Sequence, residues 1–231
     1  MSISTNIKNI NQKIREAEKK YDRKPHSIIL LAVSKSQNIN QLKAAITGGQ
    51  VRFGENYLQE ALNKMVALQN PHLEWHFIGA IQVNKTRLIA THFNWVHSIS
   101  RLKIAEQLNQ YRTAKKSPLN ICIQINISEE KNKSGISLPD LPRFVAVINQ
   151  FKRLRLRGLM TIPAVKKDFN SQKHDFEKIK NAQQKLIEKG FLLDTLSMGM
   201  THDFQAAIAA GSTMVRIGTG IFGPREDQSI I

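Results

Sequence analysis

Eight short, apolar, strand-like runs alternate with helix-like runs along this chain, and no other feature restricts its fold as strongly. The runs are Ile28–Val33, Gln50–Phe53, Glu74–Ile78, Trp95–Ser98, Leu119–Ile127, Arg157–Ile162, Thr195–Met198 and Met214–Ile217. Between them, apolar residues recur at helical spacing and end at recognisable stops. Ile39, Leu42 and Ile46 precede Gly48-Gly49; Phe176, Ile179, Leu186 and Ile187 precede Lys189-Gly190; Phe204, Ala207 and Ile208 precede Gly211. A strand–helix repeat predicts a parallel sheet, because parallel neighbours need a crossover connection. Eight such units in about 200 residues predict closure into a single (β/α)8 TIM-type barrel. Ile3, Ile7, Ile10 and Ile14 predict an extra N-terminal helix, placed to cover a face or floor that a final helix would otherwise cover. With 231 residues and no linker, residues 1–231 are expected to form one domain.

Composition removes several function classes. No apolar run approaches the roughly 20 residues of a membrane span, and the first 20 residues lack the apolar stretch of a secretory signal. The one cysteine, Cys122, excludes an internal disulfide, so the expected compartment is the reducing cytoplasm. The 34 Lys and Arg against 18 Asp and Glu leave a net charge of +16. Such an excess suits nucleic acid, an anionic membrane or a phosphorylated ligand. The positives are scattered, densest at Lys152–Arg157, and no helix-turn-helix, zinc-finger or stacking-aromatic pattern accompanies them. Nucleic acid and membrane are therefore not the expected partners.

In a barrel of this kind chemistry sits at the C-terminal ends of the strands. Strand one ends in Ser34-Lys35, and alternation puts Lys35 on the face of Val33 and Leu31. A lysine at an apolar barrel mouth is desolvated, which lowers its pKa from about 10.4 and favours the neutral amine that Schiff-base chemistry needs. The alternative is a lysine that snorkels from a strand end. Strands seven and eight run into Ser197-Met198-Gly199-Met200-Thr201 and Arg216-Ile217-Gly218-Thr219-Gly220. Glycines and hydroxyls after these two strands are what a barrel phosphate site uses, although glycines also make tight turns. Arg216 is expected to point into the barrel, where it faces a ligand ring nitrogen or anion, or pairs with an acid such as Glu55. Strand five places Cys122, Gln124 and Asn126 inside. His76, and His97 with Ser98, stand on strands three and four, each explicable as a satisfied core group. The histidines are too dispersed for a metal spacing. A lysine, a phosphate nest and an arginine together describe a phosphorylated aldehyde, for which pyridoxal 5'-phosphate is the obvious candidate.

The segments LLAVSK (30–35), FGENYLQE (53–60), WHFIGAIQVNK (75–85), VHSI (96–99), QINISEEKNKSG (124–135), GLMTI (158–162) and LSMGMTHDFQAAIAAGSTMVRIGTGIFG (196–223) resemble the pyridoxal phosphate homeostasis protein family, relatives of the N-terminal barrel of alanine racemases. The resemblance implies that Lys35 is the lysine of the internal aldimine and that Arg216 faces the pyridine nitrogen, keeping it unprotonated. It implies phosphate contacts at Ser197, Thr201, Gly218 and Thr219, ring contacts at Asn56 and Met160, and a second lysine, Lys133, for cofactor hand-over. Thr201 replaces a usual serine and keeps its hydroxyl; Gly220 stands where alanine is common. The chain ends at Ile231 without the second domain that gives alanine racemases their second base, so two-base racemisation is not expected. The expected function is reversible covalent holding of pyridoxal phosphate for intracellular supply, by a monomer that hands the cofactor to dependent apo-enzymes. The rival is a single-domain racemase, which would need His76 or Cys122 to reach the substrate opposite Lys35.

Overall fold

A computed structural model of the protein describes residues 2–128, 130 and 133–224. Helix α1 (Ile3–Lys20) precedes the first strand, β1 (Ile29–Val33). There follow α2 (Ile39–Thr47), β2 (Arg52–Glu55), α3 (Leu58–Leu68), β3 (Glu74–Phe77), α4 (Thr86–His92), β4 (Trp95–Ile99), α5 (Leu102–Tyr111) and β5 (Leu119–Ile125). The second half carries α6 (Leu141–Ile148), β6 (Leu154–Thr161), α7 (Phe169–Glu188), β7 (Thr195–Ser197), α8 (Phe204–Ala209), β8 (Met214–Ile217) and the single turn α9 (Thr219–Phe222). The eight strands pair in sequence order, all parallel, and β1 closes on β8 through Ile29–Met214 to Ala32–Ile217. The expected eight-stranded barrel with an N-terminal helix is thus the observed architecture.

Alternation sorts the strand side chains into two populations. One face of each strand packs on the helices: Leu30 and Ala32, Ile121, Ile123 and Ile125, and Val215 and Ile217 join one continuous core with the helical apolar residues. The other face fills the barrel interior, where Trp95, Cys122 and Met160 form a small apolar cluster. Helix α1 buries Ile7, Ile10 and Ile14 against α2, α8 and α9. Its N-cap is Ser2, whose hydroxyl accepts from the Thr5 N–H.

Several strand ends differ from the sequence expectation. β2 lies two residues further on, at 52–55, and the Gln50 side chain before it donates to the carbonyls of Leu30 and Arg52. β6 begins at Leu154 rather than Arg157: Leu154 and Leu156 pair with Leu119 and Ile121, and the register slips between Ile121 and Cys122 to meet Gly158. A Cβ on Gly158 would stand 1.7 Å from the Thr195 carbonyl oxygen, so this irregular crossing needs glycine. β5 stops at Ile125 and β7 at Ser197, and α8 starts at Phe204 rather than near His202.

Candidate functional site

The C-terminal ends of β1, β2, β6 and β8, with the turns after β3 and β7, surround a cavity of about 290 Å³. Lys35, Asn56, Thr201, Arg216, Gly218 and Thr219 line it, so six of the eight residues singled out from the sequence share one space. Val33, Ile78 and Ile162 give it apolar walls, and Gln37, Met200 and His202 also reach it. The side-chain phase of the strands foretold Val33; Ile78 and Ile162 carry no local signal beyond standing at strand ends.

Lys35 occupies a turn whose next residue, Ser36, has a left-handed φ of 62°. That turn is clamped from below by a second lysine. Lys64 on α3, only 4% exposed, places Nζ 2.6 Å from the Ser34 carbonyl, 2.8 Å from Glu55 Oε1 and 2.5 Å from Glu60 Oε1. Glu55 also accepts from the Ser34 hydroxyl, and Glu60 from the Ser36 N–H. Burial pushes the Glu55 carboxyl up, and the Lys64 charge pulls it back. Glu55 is therefore committed to Lys64, and the ion pair with Arg216 considered from the sequence does not exist.

Arg216 is satisfied by neutral acceptors instead. Nη1 donates to the Ser197 carbonyl and, at 2.8 Å, to the Ser197 hydroxyl; Nη2 donates to the Thr161 carbonyl at 2.9 Å. Desolvation lowers its pKa to about 10, with the Asp203 charge acting in the opposite sense, so it stays a cation at neutral pH. The turns after β7 and β8 are tied together: the Arg216 N–H donates to Gly199, and the Gly220 N–H donates to Thr201 Oγ1 at 3.3 Å. Gly199 has a φ of 97°, and a Cβ there would meet Ala207 at 2.6 Å, so both conformation and space select glycine.

Ser197 and Met160 stand outside the cavity wall. Ser197 is fully buried with its hydroxyl engaged by Arg216 and by His97 Nδ1 at 2.8 Å. Met160 packs beneath, with Trp95 and Cys122. His76 and Cys122, the groups a racemase would need opposite Lys35, do not line the cavity either. His76 bonds to His97, and burial pushes the Cys122 thiol up to about 12. Lys133 pairs with Glu130 at 2.7 Å in the loop after β5.

The residues present fit pyridoxal phosphate on their own chemistry. One wall offers an amine, another hydroxyls and glycines from two adjoining turns, and the floor a fixed cation. Asn56 Oδ1 is buried in this wall and has no hydrogen-bond partner among the described residues, an unmet acceptor of the kind a ligand satisfies.

Comparison with known proteins agrees. The family described as alanine racemase, N-terminal domain, matches residues 4–226. A pyridoxal phosphate homeostasis protein of Vibrio alginolyticus is 47% identical over 229 residues, covering 97% of this chain and 98% of its own length. The protein of that name in Escherichia coli K12 is 48% identical over 227 residues, covering 97% of both. Among solved structures, PipY of Synechococcus elongatus PCC7942, with PLP bound, superposes with a TM-score of 0.84 at 29% identity, covering 96% of this chain and all of that one. With matches of this extent, the chain belongs to the alanine racemase N-terminal domain family and, within it, to the pyridoxal phosphate homeostasis proteins.

Proposed function

We propose that this protein holds pyridoxal 5'-phosphate reversibly on Lys35 and serves the supply of that cofactor to enzymes that depend on it. The observation that carries the reading is the convergence of Lys35, Arg216 and the Thr201, Gly218 and Thr219 turns on one cavity. The occupied PipY structure, which aligns over nearly the whole chain, supports it. When bound, the cofactor supplies an aldehyde that condenses reversibly with a primary amine.

Each residue has a separate task. Lys35 supplies the amine, held in place by the Lys64 clamp under its turn. Thr201, Gly218 and Thr219 receive the phosphate: glycine lets backbone approach closely, and the hydroxyls donate. Arg216 carries only donors, so whatever it faces must accept. Opposite a ring nitrogen it leaves no room for a proton there, which weakens the ring as an electron sink. Asn56 and the apolar walls bracket the ring. Ser197 acts on the site through Arg216, and Met160 through packing of the floor.

The racemase reading is disfavoured by placement. Proton transfer on two faces needs a second acid or base across from Lys35, and both sequence candidates are buried in the barrel interior, outside the lining of the cavity. The test is spectroscopic. Pyridoxal phosphate added to the purified chain is expected to give a visible absorption band that borohydride fixes to the peptide containing Lys35, and Lys35→Ala is expected to give neither. Fixation on another lysine, or a colourless protein, overturns the assignment. Sustained conversion of L-alanine or L-serine to the D-isomer, lost in Lys35→Ala, would establish the racemase instead.

A further inference from the structure

The barrel interior contains a line of polar groups that the holding function does not by itself require. It begins at Arg216, whose Nη1 lies 2.8 Å from Ser197 Oγ. Ser197 Oγ lies 2.8 Å from His97 Nδ1, and His97 Nε2 lies 2.9 Å from His76 Nδ1. His76 Nε2 lies 3.1 Å from Glu74 Oε1, within ion-pair distance but not aligned as a hydrogen bond, and Glu74 Oε2 receives Arg52 Nε at 3.3 Å. Ser197, His97 and His76 are completely buried, and the two rings come from adjacent strands. The line crosses the barrel from the cavity floor to the N-terminal edge of the sheet.

Donor and acceptor accounting gives this line a direction. A guanidinium only donates, so Ser197 Oγ accepts from it. The other partner of that hydroxyl among the described residues is His97 Nδ1, which therefore takes the hydroxyl proton and is unprotonated. A neutral His97 then carries its proton on Nε2 and gives it to His76 Nδ1. His76 in turn carries its proton on Nε2, facing the Glu74 carboxylate. The reverse order would leave Ser197 receiving two donors with its own proton unplaced, and would put an unprotonated His76 Nε2 at 3.1 Å from a carboxylate oxygen. The cation at one end and the anion at the other select the same tautomers, and buried chains of this kind polarise cooperatively.

We propose that Ser197, His97 and His76 form one polarised donor chain, closed by Glu74, that fixes the Arg216 guanidinium in a single orientation under the cavity. Ser197 and His97 are thus positioning residues for Arg216. The bearing of the chain on the cofactor rests on the pyridoxal phosphate reading, whereas its proton pattern does not.

Two measurements test it. In the unliganded protein with 15N-labelled histidine, long-range proton–nitrogen spectra at neutral pH are expected to show His76 and His97 both neutral with the proton on Nε2. An Nδ1–H tautomer, an imidazolium or averaging between tautomers at either ring overturns the proposal, whatever the ligand. The second measurement titrates pyridoxal phosphate into Ser197→Ala, His97→Gln and His97→Asn. His97→Gln carries its carboxamide out to the Nε2 position and leaves the Nδ1 position that faces Ser197 empty, while the side-chain oxygen of His97→Asn stands at that position. Ser197→Ala and His97→Gln are expected to move the absorption maximum and its pH profile and to weaken binding about tenfold; His97→Asn is expected to restore the parent spectrum. Parent-like spectra in Ser197→Ala and His97→Gln overturn the positioning role, and Ser197→Ala alone decides if a histidine variant does not fold. A parent that takes up no pyridoxal phosphate fails the functional reading and leaves the tautomer measurement standing.

Discussion

A single methyl group separates the structural glycines of this barrel from the ligand-facing one. A Cβ on Gly79 would lie 2.3 Å from the carbonyl oxygen and 2.7 Å from Cα of Asn56, so Gly79→Ala must displace the segment that presents Asn56. Its expected cost is roughly 1–3 kcal/mol, the range for overpacking, together with weaker pyridoxal phosphate binding. A Cβ on Gly218 would meet nothing nearer than the Val33 carbonyl oxygen at 3.4 Å. Gly218→Ala is therefore expected to leave stability within about 0.5 kcal/mol of the parent while lowering affinity. Urea midpoints and ligand titrations on the two variants check this, and equal destabilisation of both would contradict the assignment. Lys35, Arg216 and the glycine–threonine turn were legible because each is one residue type at a strand end. The company of Ser197 was not: its partner His97 is 100 residues away in the chain, and no local pattern announces a contact made only when β4 and β7 face each other across a closed barrel.

At the scale of elements, the site stands on helices that never touch it. α3 contributes Lys64, which satisfies Glu55, Glu60 and the Ser34 carbonyl at once. Lys64→Met would leave the Glu55 carboxylate buried and unpaired, at a cost of about 3–5 kcal/mol. Denaturant unfolding should show that loss, and the double variant Lys64→Met/Glu55→Leu should recover part of it; no recovery would mean that the lysine acts only as packing. α1 holds α9 directly, since Asn6 Nδ2 donates to the Ile221 carbonyl at 2.8 Å. Asn6→Ala is expected to cost about 1 kcal/mol and to weaken pyridoxal phosphate binding without altering the cavity wall. Unchanged affinity would separate α1 from the site. The strand count and order followed from periodicity alone, whereas strand limits at β2 and β6 did not. The side chain of Gln50 turns back to cap neighbouring carbonyls, and the arginines of Leu154–Arg157 read as a charged surface although Arg157 pairs with Asp194 at 2.6 Å and lies over the Trp95 ring.

The whole molecule couples this interior to pH. His76 and His97 are both depressed below the ordinary histidine value, first by burial, and His92 by partial burial. Each binds a proton less readily in the folded barrel than in the unfolded chain, where an imidazole takes one up once the pH falls below about 6.5. Stability from these groups is therefore present above that pH and declines below it. The slope is about 1.4 kcal/mol per pH unit for each fully buried ring. Glu74, held at about 2 chiefly by His76, moves in the same direction but only below its unfolded value near 4.5. Desolvation instead raises the buried carboxyls of Glu55 and Asp203, which gain stability as pH falls and oppose the decline. Comparison with a variant that lacks His97 but keeps both carboxyls isolates the histidine. Unfolding free energies measured from about pH 6.5 to 5 carry the His76 and His97 contributions in the parent on top of that opposing background. The decline should be shallower by one proton in His97→Asn, which removes a titrating group while keeping the acceptor that Ser197 uses. Equal slopes in the two proteins would mean that His97 is already charged when folded. That would place a second cation beside Arg216 with no anion in contact to offset it, an arrangement a closed, dry barrel does not tolerate.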